Sequence, residues 1–186
     1  KTFNISTAAA LVTAAARGRD GARAYVAKHG GRSRTGRGSA EVLAMLGVNI
    51  DASPEVQARC LQDCGVCFSF AVNHHPAMKF AAGPRKSLGF PTIFNLLGPL
   101  CNPAGAQRQL IGVYEERAIS LMAEALRRLG AQSAIVVHSQ DGMDEISTTA
   151  PSTLAHVSQS GIRSEHLDPL VFGIDRASLA ALETRT

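Results

Sequence analysis

The 186-residue sequence has no tryptophan and only two tyrosines. Aromatic residues make up 5% of it, so the stacked-base platform of a single-strand nucleic-acid binder is missing. Charge is sparse as well, at 18% of residues with a net charge of +4. That excess suits an anionic ligand without choosing among anions. No apolar run approaches bilayer length, and no signal peptide is recognisable at the start, so a membrane partner is not expected. Internal repeats and low-complexity linkers are also absent. The first residue is Lys1 rather than Met, and the sequence opens directly on a motif, so the chain is expected to be part of something longer.

Cysteine is scarce too. Cys60, Cys64 and Cys67 lie in "CLQDCGVC", and Cys101 stands apart. The first three would share a helical face only if a helix ran through Gly65, and a metal site would need His74 or His75 as a fourth ligand. Gly65 is expected to end the helix, and no paired Cys-x-x-Cys follows. Buried, reduced thiols in a cytoplasmic protein are the expectation.

What is present suits a packed core, with 45% apolar residues in a length typical of one domain. "NIST" followed by "AAALVTAAARG" predicts a helix capped by Ser6 or Thr7. "ARAYVA" predicts a short strand, and "GSAEVLAMLGV" a helix capped by Ser39 with Glu41 in its first turn. "SPEVQARCLQDCG" places Ser53 at the N-cap, Pro54 at the first helical position and Gly65 past the end. "RQLIGVY" and "QSAIVVHS" read as buried strands around the amphipathic "ERAISLMAEALRRLG". Strand, helix, strand is a βαβ unit, so the class is α/β. The tail from Pro151 onward has no clear pattern.

Three constellations carry chemistry. "KHGGRSRTGRGSAE" gathers Lys28, His29, Arg32, Arg34 and Arg37 among four glycines. It lacks the Lys-Ser/Thr ending of a nucleotide P-loop and the G-x-G-x-x-G of a dinucleotide fingerprint. Helix starts after "FNIST" and "TGRGS" offer two backbone anion cradles, which suggests a ligand with two separated phosphates. Second, "SQDGMDEIS" places Asp141, Asp144 and Glu145 beyond a strand's carboxyl end, where α/β sheets bind ligands and where carboxylates meet Mg²⁺. Third, Asn73, His74, His75, Lys79, Arg85 and Lys86 precede an apolar, proline-marked stretch. An arginine there can fork a carboxylate, and a His-His pair also raises metal binding.

These stretches in this order resemble the anthranilate phosphoribosyltransferase family. The resemblance is carried by "TFNISTAAALV", "AKHGGRS", "GSAEVLAMLGVNID", "HHPAMK", "PRKSLGFPTIFNLLGPLCNPAG" and "DGMDEIS", and returns weakly at "FGIDRASL". It implies that residues 1–186 form part of the larger α/β domain of a class IV phosphoribosyltransferase, a central sheet flanked by helices. Most or all of the N-terminal helical domain and the C-terminal helices would then be missing, and the fragment alone is expected to be inactive. The implied activity is transfer of phosphoribose from phosphoribosyl pyrophosphate to anthranilate, with Mg²⁺, in a cytoplasmic homodimer serving tryptophan biosynthesis.

By the same resemblance Thr2, Asn4, Ile5, Ser6, Thr7, Lys28, His29, Gly30, Arg32, Ser33 and Ser39 bind the phosphoribosyl substrate. Gly31, His75 and Arg85 border anthranilate, and Ser6, Asp144 and Glu145 attend the magnesium. The chain departs from the family pattern at Gly31, where the family has Asn. It also departs in the shortened "RSRTGRGS" and in an inserted "RGRDGARAY". A non-catalytic nucleic-acid-binding relative and a pyrimidine nucleoside phosphorylase are the alternatives. The "DE" pair tells against the first, and "PRKSLGFPTIFNLLGPL" against the second.

Overall fold

The structure is a computed structural model that describes residues 4–33, 36, 38–90 and 92–183. The expectations placed on Thr2, Arg34 and Arg37, and on the side chain of Lys86, lie outside it. The chain groups into two compact units, Asn4–Gly105 and the segment from Ala106 onward.

In the first unit, helix α1 spans Ile5–Ala15. Its cap is Asn4, not Ser6 or Thr7, because the Asn4 side-chain oxygen accepts from the third helical N–H, that of Thr7, at 3.2 Å. The segment "RGRDGARAY" folds on itself: Arg17 bridges Arg23, and the Asp20 carboxylate accepts from Ala22 N–H at 3.0 Å. Strand β1 follows at Val26–Gly30, later than the expected "ARAYVA", so Lys28, His29 and Gly30 are strand residues rather than loop. Parallel pairing decides this register, with Val26 opposite Val66 and Gly30 opposite Phe70 on β2, Val66–Phe70.

Between these strands run α2, Ser39–Met45, and α3, Pro54–Cys64. Ser39 is the first residue of α2 and Gly38 its cap, because the Ser39 hydroxyl is turned to the Asn4 oxygen at 3.1 Å instead. Helix α3 matches its expected signals: Ser53 caps it, Pro54 opens it, and Gly65 closes it in the left-handed region at φ 80°. Arg23 donates to the Asp63 carbonyl at that end and lies over Tyr25. The core here is Ala40, Leu43, Ile50 and Phe70, with Phe68 packed against it. Short helices α4, Ala71–His74, α5, Met78–Leu88, and α6, Phe94–Leu97, complete the unit, followed by a 3-10 turn at Gly98–Cys101.

The cysteine expectation is corrected. Only Cys67, on β2, is buried; Cys60, Cys64 and Cys101 are exposed. Gly65 ends α3, so Cys67 sits on a strand instead of continuing the helical face of Cys60 and Cys64.

The second unit contains the expected βαβ unit. Strand β3, Arg108–Gly112, pairs in parallel with β4, Ser133–Ser139, across helix α7, Ala118–Arg128. Ala118, Ile119, Met122, Ala123 and Leu126 of α7 are buried, at the spacing of one helical face. Fully burying a Leu, Ile or Met side chain stabilises by about 1.5–3 kcal/mol. The solvent face carries Glu124, paired with Arg127 and Arg128, which holds the Glu124 carboxyl down to about 2.

Strand β3 is not the buried strand expected of it. It lies at the sheet edge, and Leu110 is 63% exposed. The tail that lacked a pattern is regular: β5, Ser152–Ser158, and β6, Gly161–Leu167, add antiparallel to β4 in the order β3-β4-β5-β6. Val136, Leu154, Ala155 and Val157 line its core. A 3-10 turn at Pro169–Phe172 and helix α8, Leu179–Leu182, end the described chain. No helix among the described residues is long and apolar enough to cross a membrane.

Candidate functional site

The start of α1 and the strand β1 bring the first cluster together. Lys28 Nζ donates to the Ser6 hydroxyl at 2.9 Å, placing a cation beside the first turn of the helix. The Asn4 carboxamide oxygen accepts from Thr7 N–H, from the Thr7 hydroxyl at 2.6 Å and from the Ser39 hydroxyl at 3.1 Å. Asn4 therefore ties α1 to α2, and Thr7 is buried beneath it. Ile5 is exposed at the helix start.

After β1 the backbone is open. A Cβ built at Gly31 would meet nothing within 4 Å among the described residues, so a side chain has room there. At Gly30 the nearest atom would be the Phe68 ring at 3.5 Å, an ordinary contact. Arg32 places its guanidinium 5.6 Å from the centre of the Phe70 ring. Ser33 N–H donates to the Glu41 carboxylate at 3.2 and 3.4 Å. The anion at the start of α2 is thus the chain's own Glu41. Gly38 is tight against it: a Cβ there would come within 2.8 Å of Glu41 Oε2 and 2.9 Å of Ser33 Cβ.

The histidines form the second cluster. His29 Nδ1 lies 2.9 Å from the Ser69 carbonyl, and its Nε2 lies 3.1 Å from His75 Nε2. Burial lowers the His29 pKa, and His75 and His74 push it down further, against the Ser69 hydrogen bond. His74 Nε2 meets Gln57 Oε1 at 2.9 Å, while Gln57 donates its amide N–H to Ala52 O at 2.8 Å. On α5, Arg85 stands over the Phe94 ring at 5.3 Å. A guanidinium over an aromatic ring keeps N–H groups that can fork a carboxylate.

In the second unit the loop after β4 is organised by Asp141. Burial would raise its pKa, but hydrogen bonds from the Ser147 hydroxyl at 2.5 Å, from the Thr149 hydroxyl and from Met143 N–H hold it below the ordinary value. Asp141 is therefore a loop residue, whereas Asp144 is exposed and Glu145 half-buried. His138 Nδ1 donates to Val113 O at 2.8 Å, fastening β4 to the end of β3.

Among the described residues no three His, Cys, Asp or Glu side chains are grouped to hold a metal ion by themselves. Asp144 and Glu145 stand side by side in the sequence of this loop, and Mg²⁺ typically takes one or two carboxylates and completes its shell with water and substrate phosphate. Sequence reasoning missed Gln57, the Ser69 carbonyl, Phe94 and the anchoring role of Asp141. Only the last had a signal, the Asp-Gly pair of a turn.

Known proteins resemble the chain along its whole length. The family model described as "Glycosyl transferase family, a/b domain" matches residues 1–186. The chain is 50% identical over 187 residues to the anthranilate phosphoribosyltransferase of Methylococcus capsulatus, covering 100% of this chain and 53% of that protein. It is 50% identical to that of Thioalkalivibrio sulfidiphilus, covering 97% and 52%. The crystal structure of the Thermus thermophilus enzyme superposes with a TM-score of 0.86 at 43% identity, over 98% of this chain and 52% of that one. A Saccharomyces cerevisiae enzyme in complex with PRPP and Mg gives 0.85 at 29% identity, over 98% and 49%. The chain spans about half the length of the curated relatives it matches. By a match along its whole length, the chain belongs to the glycosyl transferase family, a/b domain.

Proposed function

We propose that the protein transfers the phosphoribosyl group of phosphoribosyl pyrophosphate to the amine of anthranilate, releasing pyrophosphate, as a homodimer in the cytoplasmic synthesis of tryptophan. On this reading residues 1–186 belong to one phosphoribosyltransferase α/β domain. The observation that carries it is the 50% identity, along the entire chain, to an anthranilate phosphoribosyltransferase.

The residues divide by chemistry. Ser6, Lys28, Arg32, Ser33 and Ser39 supply hydroxyl and cationic donors to phosphate oxygens. Asn4 and Thr7 hold α1 against α2 so that these donors keep their places. Arg85 forks the carboxylate of anthranilate, with the Phe94 ring behind its guanidinium. Gly31 and His75 border the same substrate.

The aromatic amine is neutral at physiological pH, so the chain needs no strong base. Its task is to align the nitrogen with the anomeric carbon. Asp144 and Glu145 would hold Mg²⁺, which when bound neutralises the departing pyrophosphate. Asp141 keeps their loop in place without giving up its own oxygens.

The test uses the protein expressed from its complete reading frame. Anthranilate should disappear only when phosphoribosyl pyrophosphate and Mg²⁺ are both present, with stoichiometric pyrophosphate released and EDTA stopping the reaction. Turnover that ignores anthranilate would overturn the reading.

A further inference from the structure

The histidine pair carries information about protons that its distances alone do not state. The Ser69 carbonyl only accepts, so His29 Nδ1, 2.9 Å away, must carry the hydrogen. A neutral His29 then has a lone pair on Nε2. Burial and two neighbouring imidazoles, His75 and His74, favour that neutral form. His75 Nε2, at 3.1 Å, must therefore be the donor in this contact. The rings meet edge to face, with centroids 5.1 Å apart and planes at 78°, which suits an N–H aimed at an in-plane lone pair. His75 Nδ1 is left as an acceptor, and it has no hydrogen-bond partner among the described residues.

His74 does not compete for this arrangement. Gln57 gives its amide N–H to Ala52 O, so its carbonyl oxygen faces His74 Nε2, and His74 is occupied as a donor there. Lys28, next to His29 in sequence, points to the opposite side of β1 and donates to Ser6.

We propose that His29 is a positioning residue for the amine of the arylamine substrate: it holds His75 in the Nε2–H tautomer, so that His75 Nδ1 accepts a hydrogen bond from the amine. This rests on the functional reading above, in which His75 borders that substrate. It moves His29 from the phosphoribosyl side of the reaction to the arylamine side. A primary aromatic amine has two N–H donors and one lone pair, so accepting one N–H turns the lone pair toward the sugar. The recognised ligand class is a neutral primary arylamine. A ring that presents only an acceptor there gains nothing from the lock.

Ring nitrogen shifts of ¹⁵N-histidine protein read the tautomers directly. His29 should appear as the Nδ1–H form and His75 as Nε2–H. Anthranilate should move the His75 Nδ1 signal and leave His29 Nδ1 in place. Benzoate keeps the carboxylate but lacks the amine, and it should not move that signal. In steady-state kinetics, His29→Ala should raise the KM for anthranilate about 10-fold, the worth of one net hydrogen bond, with the KM for phosphoribosyl pyrophosphate within about twofold. His29→Gln places an amide oxygen near the lost Nε2 and should recover most of the difference.

An Nε2–H tautomer at His29, an equal response to benzoate, or a loss falling on phosphoribosyl pyrophosphate would each overturn the proposal. If the unsubstituted protein turns over no anthranilate, the failure belongs to the functional reading, and the tautomer spectrum with its arylamine response then decides the lock by itself.

Discussion

Gly112, the last residue of β3, lies directly beneath the Asp144 carbonyl: a Cβ built on Gly112 would overlap that oxygen. The obstacle is backbone, so nothing flexible can move aside. The loop carrying the candidate magnesium carboxylates is seated on the absence of a side chain.

Gly112→Ala is expected to displace that loop or the end of β3 at a cost of about 1–3 kcal/mol, the usual range for overpacking. Thermal melts should show a drop of several degrees, and the Mg²⁺ concentration for half-maximal activity should rise. An alanine variant with unchanged melting and unchanged metal dependence would show that the contact is not limiting.

Asp141→Asn tests the loop from within. The amide cannot accept on both of its ends, so either the Ser147 and Thr149 hydroxyls, which share Oδ2, or the Met143 N–H at Oδ1 loses its acceptor. The Asp141 carboxyl is held below its ordinary value near 3.8. Its contribution to stability is therefore fully present above that value and is lost as pH falls through the folded pKa. Denaturant midpoints of the two proteins should differ at neutral pH and converge as pH falls below 3.8 and through the folded pKa. A constant gap across that range would exclude ionisation as the cause.

His29 gives the opposite chemistry, with a base kept neutral. Its pKa is lowered from 6.5, first by burial and then by His75 and His74. Well above 6.5 neither folded nor unfolded His29 is protonated, so the group adds no slope there. As pH falls below 6.5 the unfolded chain takes up the proton first, and stability declines until the folded pKa is passed. Urea titrations between about pH 7.5 and 5 should show this decline in the unsubstituted protein and less of it in His29→Gln. Parallel curves would assign the slope to other groups.

Arg85→Ala should raise the KM for anthranilate about 10- to 100-fold, corresponding to a charged hydrogen-bond pair of about 1.5–3 kcal/mol. Phosphoribosyl pyrophosphate should bind nearly as before. Arg85→Lys should recover little, because an ammonium cannot fork a carboxylate with two parallel N–H donors. Equal loss of both substrates would make Arg85 a structural residue.

Where a local interaction sets the outcome, the sequence alone determined this protein. Ser53, Pro54 and Gly65 bound α3 as their types require, and the spacing from Ala118 to Leu126 marks the buried face of α7. Both depend on neighbours within a few positions, which is the range over which caps and periodicity act. The α/β class follows from the same signals.

Tertiary structure decided whatever depends on distant partners. Leu110 is apolar yet exposed, because β3 took the edge of its sheet. Ser152–Ser158 and Gly161–Leu167 became regular strands because β4 offered a free edge in register for the first of them. Asn4 caps α1 and also binds Ser39, 35 positions away, a contact that only the folded chain brings about. In the same way, the tautomer of His75 is set by His29, 46 positions earlier, and the seat of Asp144 by Gly112. A hydrogen bond or a steric limit between such residues has no periodicity along the chain, so no pattern in the sequence records it.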